Sequence, residues 1–241
     1  MLAERLVISE RFCGPPGTGN GGYVCGRLAR HVGIAAAVRL RAPAPLGREL
    51  RIEADGGQAR LMHDAQTIAE ARPATLDVAA PEPISFERAT EAAAGYLGFR
   101  RHAFPRCFVC GPERAAGDGL RIFPGALSQR PLVASPWVPD PTLADEDGRV
   151  RSEFLWSALD CSGGFAVLPV PEGKAIVLGE LSARISGTVA PGERCTVAGW
   201  LLGVDGRKRR AGSAVYSSTG HAVAVAQAVW IEVDSSAFGG Q

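Results

Sequence analysis

The chain repeats itself, and this constrains its fold more than any other property of its 241 residues. Val38-Arg-Leu-Arg-Ala-Pro-Ala-Pro-Leu-Gly47-Arg-Glu-Leu is similar to Ala183-Arg-Ile-Ser-Gly-Thr-Val-Ala-Pro-Gly192-Glu-Arg-Cys. Each reads as a strand, a Pro/Gly turn and a second strand. Further on, the stretch from Thr67 to Val78 matches the one from Ala222 to Val233. Gly47 and Gly192 lie 145 positions apart, whereas Val78 and Val233 lie 155 apart, so the second copy's middle hairpin must be ten residues longer. That excess falls near Gly203-Val-Asp-Gly-Arg-Lys-Arg-Arg210, a turn-rich stretch suited to a hairpin tip. Two matched blocks in the same order mean two copies of one unit.

Each copy has a helix candidate ahead of its strands. In Gly22-Tyr-Val-Cys-Gly-Arg-Leu-Ala-Arg-His-Val-Gly33, Val24, Leu28 and Val32 recur at four-residue spacing and Gly33 is the stop. In the second copy, the stretch from Glu153 to Val167 is helix-like and apolar nearly all round, the mark of a buried helix. A helix followed by antiparallel strands, present twice, predicts an α+β chain. The first unit is expected over 1–80 and the second over 119–241. Between them, 81–118 opens with the boundary Pro81-Glu-Pro-Ile-Ser-Phe and an exposed helix from Glu87 to Leu97. It closes with Arg101-His-Ala-Phe-Pro-Arg-Cys-Phe-Val-Cys-Gly111-Pro, which belongs to neither unit. The tail from Ser235 to Gln241 is small and polar and is expected to fray.

Charge narrows the partners. With 26 basic and 25 acidic residues the net charge is +1, which disfavours a nucleic-acid footprint. No apolar run approaches the ~20 residues that span a bilayer, and the start lacks a signal peptide's pattern. The expectation is a cytoplasmic protein with no membrane partner, open to homo-oligomerisation, with its six cysteines reduced.

The motifs carry a resemblance. Asn20-Gly-Gly-Tyr-Val-Cys-Gly-Arg-Leu resembles the His-Gly-Gly helix start of hotdog acyl-CoA thioesterases of the phenylacetate and hydroxybenzoyl-CoA type, with Asn in place of the common His. Leu155-Trp-Ser-Ala-Leu-Asp160-Cys-Ser-Gly-Gly resembles the later part of that helix, where such enzymes carry an acidic catalytic residue. The resemblance covers both repeats but not 81–118. It implies two tandem hotdog units, a double hotdog, that hydrolyses acyl-CoA-type thioesters without a cofactor beyond the coenzyme A of the substrate.

In the family motif the Gly-Gly start and the acid lie about eight residues apart on one helix, roughly 12 Å, too far for both to touch one thioester carbon. A working site must pair the helix start of one unit with the acid of the other. Here the first unit has the start, but Ala29 and Arg30 stand where its acid would be. The second has Asp160, but Arg151-Ser-Glu153 stands where its Gly-Gly would be. One site per chain follows. Gly21 and Gly22 would let a carbonyl approach the helix N-terminus, where the N–H of Gly22 or Tyr23 could polarise it. Asn20 would hold the carbonyl or the water. Asp160, desolvated on an apolar helix, would act as general base or attack directly.

Blander readings stand beside these. Asp160 could end a helix before Ser162-Gly163-Gly164, and Asn20-Gly21-Gly22 could be a plain N-cap; the paired repeats favour function. Trp156 suggests an apolar tunnel or ordinary core. Arg207, Lys208, Arg209 and Arg210 are either a solvated tip or a contact for nucleotide phosphates. Gly17-Thr-Gly-Asn-Gly-Gly22 satisfies G-x-G-x-x-G but lacks a preceding buried strand and a following acid, so a Rossmann reading fails. Cys107-Phe-Val-Cys110-Gly has the spacing of half a zinc knuckle. His102 is its local third candidate, and Cys13, Cys25, Cys161, Cys195 or His63 would have to come from afar. A packed loop with two thiols and no metal is expected. The competing functions are a hotdog hydratase or dehydratase, disfavoured because His is missing from both motifs, and a non-catalytic acyl-CoA or small-ligand binding protein.

Overall fold

A computed structural model describes residues 2–238. The repeat becomes a two-fold arrangement. The first unit supplies β1 (Leu2–Val7), α1 (Gly21–Ala29), β2 (Ala35–Leu40), β3 (Glu49–Asp55), β4 (Gln58–His63) and β5 (Gln66–Pro73). After α2 (Phe86–Ala94) come β6 (Gly125–Ala126), β7 (Leu132–Trp137), α3 (Ser152–Ala166), β8 (Lys174–Ile185), β9 (Cys195–Asp205), β10 (Lys208–Tyr216) and β11 (Ala222–Asp234). All strands join one antiparallel sheet in the order β1-β3-β4-β5-β2-β8-β11-β10-β9-β7-β6. Read outward from the β2–β8 seam, the two halves match strand for strand: β2 with β8, β5 with β11, β4 with β10, β3 with β9 and β1 with β7.

The equivalent turns bear out the alignment. Gly47 and Gly192 both take positive φ (63° and 77°), a backbone region open to glycine and strained for other residues. The second hairpin is longer, by seven residues rather than ten over its strands: β9–β10 occupies 195–216 where β3–β4 occupies 49–63, and Gly206-Arg207 forms its turn. Thr67–Val78 matches only in part. Proline has no N–H to continue a ladder, and the chain leaves the sheet after Pro73, whereas β11 runs on to Asp234.

The helices lie side by side under the curved sheet. α1 packs on β2, β4, β5 and β8, α3 on β7 to β11, and the two helices pack on each other. That sandwiching explains why α3 is buried from Glu153 to Gly164. α2 lies on the other face. The sequence predicted it exposed over 87–97, yet Ala89 and Ala92 are buried in a second core with Ala198, Ala214, Tyr216 and Val225. It stops at Gly95, and Leu97–Phe99 is a separate 3-10 turn. The tail also differs from expectation. Ser235–Phe238 forms a 3-10 turn, with residues 239–241 outside the described range. No helix among the described residues is long and apolar enough to cross a membrane.

Candidate active site

α1 and α3 run antiparallel, so the start of α1 lies against the middle of α3. Asn20 is the N-cap of α1: its Oδ1 accepts the Tyr23 N–H at 2.9 Å. The rest of its amide faces the other unit. Asn20 Nδ2 donates to Asp160 Oδ2 at 3.0 Å, and the Gly22 N–H donates to the same oxygen at 2.8 Å. The acid of one copy is thus received at the helix start of the other, the pairing that the resemblance implies.

Asp160 is 2% exposed. Its Oδ1 accepts nothing, and it is the only fully buried carboxylate oxygen without a partner among the described residues. Burial pushes the Asp160 carboxyl up to about 7, against the opposing pull of the Gly22 N–H and the Asn20 amide. The residue does not end its helix, because α3 continues through Ser162-Gly163-Gly164 to Ala166.

The glycines act differently from expectation. Both donors assigned to a carbonyl are engaged, Gly22 by Asp160 and Tyr23 by Asn20. The donor left is the N–H of Gly21, which makes no hydrogen bond with the described residues. Nor does Gly22 face a substrate channel. A Cβ there would lie 2.6 Å from both Trp156 O and Asp160 Cβ. At Gly26 one would lie 2.5 Å from Glu153 Cα. Two glycines four residues apart therefore bring the two helix backbones into contact. Trp156 is buried in this helix pair.

The segment that belongs to neither unit closes over the pair. Phe108 N–H donates to Cys13 O at 2.7 Å, and the Phe108 ring meets Phe12 edge-on, which stacks on Tyr23 at 4.2 Å. Cys107 Sγ lies 3.9 Å from Asn20 Nδ2 and 3.8 Å from the Sγ of Cys161, the residue after Asp160. Sequence reasoning names Cys161 as one of five distant candidates for the C-x-x-C pair but does not single it out or place the pair beside Asn20 and Asp160.

The basic tip divides. Arg209 is committed to structure, donating to Glu232 Oε1, Val167 O and Pro169 O at the C-terminal end of α3. Arg207, Lys208 and Arg210 are exposed. The tip sits where α3 ends, seven residues beyond Asp160, or about 10 Å along the axis.

No protein-family model matches the chain, and no curated protein matches it. Solved structures do. A protein named as a thioesterase II from Thermobifida fusca is 15% identical with a TM-score of 0.63, covering 96% of this chain and 93% of its own. A protein of unknown function with a hot dog fold from Alicyclobacillus acidocaldarius is 13% identical with a TM-score of 0.59 at the same coverages. An acyl-CoA thioesterase II from Mycobacterium marinum is 12% identical with a TM-score of 0.57, again over 96% and 93%. The chain therefore has the hotdog fold.

Proposed function

We propose that this chain is a double hotdog, units 1–80 and 119–241 joined by 81–118, that hydrolyses acyl-CoA-type thioesters at one site. The observation that carries the reading is the lone Oδ1 of Asp160, held in place because Oδ2 is fixed by Asn20 and Gly22 of the other unit. A buried carboxylate titrating near neutrality, with one oxygen fixed and the other unpartnered, suits a general base. Two of the similar structures carry thioesterase names, which supports the same reaction class.

In this mechanism Asp160 Oδ1 takes a proton from water as the water oxygen attacks the thioester carbon. The Gly21 N–H polarises the carbonyl oxygen. The C–S bond then breaks, and the carboxyl returns its proton to the departing thiolate. Leu40 and Leu178 lie where a side chain on Gly21 would stand, so the apolar surroundings of that donor suit an acyl group. Arg207, Lys208 and Arg210 are available to coenzyme A phosphates. A panel of acyl-CoAs assayed for free thiol is the test. Turnover by the native chain, with loss of roughly 10²-fold or more in Asp160→Asn, is expected. No thiol release from any substrate, or native turnover in the variant, would remove this reading.

A further inference from the structure

Beside Asp160 lies a second cluster that the hydrolytic reading does not use. The Sγ atoms of Cys107, Cys110 and Cys161 all lie within 4.8 Å of one another, and all three residues are buried. We propose that Cys107, Cys110 and Cys161, with His102 as fourth ligand, form a tetrahedral zinc site that ties the inter-unit segment to α3. The inference does not rest on thioester hydrolysis.

Two of the distances match edges of a thiolate-rich tetrahedron, while His102 stands beside Cys110 and outside the close set of three sulfurs, so it must swing inward to complete the four. With Zn–S near 2.3 Å, two sulfurs on one zinc stand about 3.8 Å apart. Cys107 and Cys161 stand 3.8 Å apart. His102 Nε2 lies 3.3 Å from Cys110 Sγ, close to the edge of about 3.5 Å that one imidazole nitrogen and one sulfur share.

The loop is also built as a knuckle. The Gly111 N–H closes the turn on Cys107 O at 2.9 Å, and a Cβ at Gly111 would lie 2.6 Å from Cys107 N. Asn20 Nδ2 offers a further N–H to Cys107 Sγ at 3.9 Å.

Ligation has a proton cost at His102. Its Nδ1 now accepts the Phe104 N–H at 2.8 Å, which places the ring proton on Nε2, pointing at Cys110. Zinc binding moves that proton to Nδ1, frees the Phe104 amide and releases the thiol protons. His102 is therefore the weakest ligand of the four.

The experiment is elemental analysis of the full chain, isolated under reducing conditions and reconstituted with zinc. About one zinc per chain is expected. Replacement by cobalt should give a thiolate-to-cobalt charge-transfer band and the intense visible bands of a tetrahedral centre, a readout that needs no variant. Cys161→Ser should retain metal against a chelator at least about tenfold less well, His102→Ala less well than native but better than Cys161→Ser, and Cys195→Ala as native. Substoichiometric zinc after reconstitution, an octahedral cobalt spectrum, or full retention by Cys161→Ser would overturn the proposal. So would a mass two hydrogens light, which would show a disulfide in place of a metal.

Discussion

The two ends of the helix pair share one frame and carry different chemistry. At one end, α1 begins at a capping Asn20, and its Gly22 N–H meets Asp160 of α3. At the other, α3 begins at Arg151, which makes no side-chain cap bond, and Gly26 of α1 faces Glu153. Glu153 lies in the first turn of its own helix, 3.8 Å from Arg151. Arg30, standing where an acid would complete this second site, turns away toward Glu4. Packing is equivalent at both ends, since each has a glycine against the opposing helix. Their polar contacts are not, because a carboxylate accepts from a capped helix start at one end only.

The largest effects should be symmetric. Gly22→Val and Gly26→Val both force a side chain into the opposing backbone, so each should lose about 3 kcal/mol or more in urea denaturation. A large loss at one end only would break the packing half of the comparison. Next comes Asp160→Asn, which keeps an oxygen for both donors and should fold normally, while thiol release falls roughly 10²-fold or more. A smaller effect is expected of Asn20→Ala. It should cost about 1 kcal/mol as a lost cap and lower turnover about tenfold by releasing Asp160. The smallest belong to the second end: Glu153→Gln and Arg30→Ala should leave turnover within about twofold of native. A severe loss in Glu153→Gln would place chemistry where none has been assigned.

Much of this was legible in the residues. The Pro/Gly turns at Gly47 and Gly192 marked the repeat because a positive φ leaves a glycine behind it. The pairing of Asp160 with Asn20 and Gly22 came from the resemblance to the hotdog motif together with the rise of a helix. Other features left weaker marks. Alanine is a poor sign of burial, so Ala89 and Ala92 hid the covered face of α2. Gly22 invited a catalytic explanation because close contact between helices and close approach of a ligand both remove the same Cβ. Arg209 looked like its basic neighbours until its carbonyl partners were brought in by the fold. Cys161 could not be joined to Cys107 and Cys110 without knowing where α3 lies.

The seam between the halves sets an order of events during synthesis. Ala37 pairs with Ser182 across β2 and β8, 145 positions later in the chain. At roughly 5–20 residues per second, β2 waits about 7–30 seconds on the ribosome for that partner. Hairpins such as β3–β4 can close meanwhile, since their strands are separated only by Gly56 and Gly57. Until β8 emerges, β2 presents a row of unpaired N–H and C=O groups, the kind of edge on which foreign strands assemble. The strand that unites the finished sheet is therefore, for those seconds, the one that a second nascent chain can claim first.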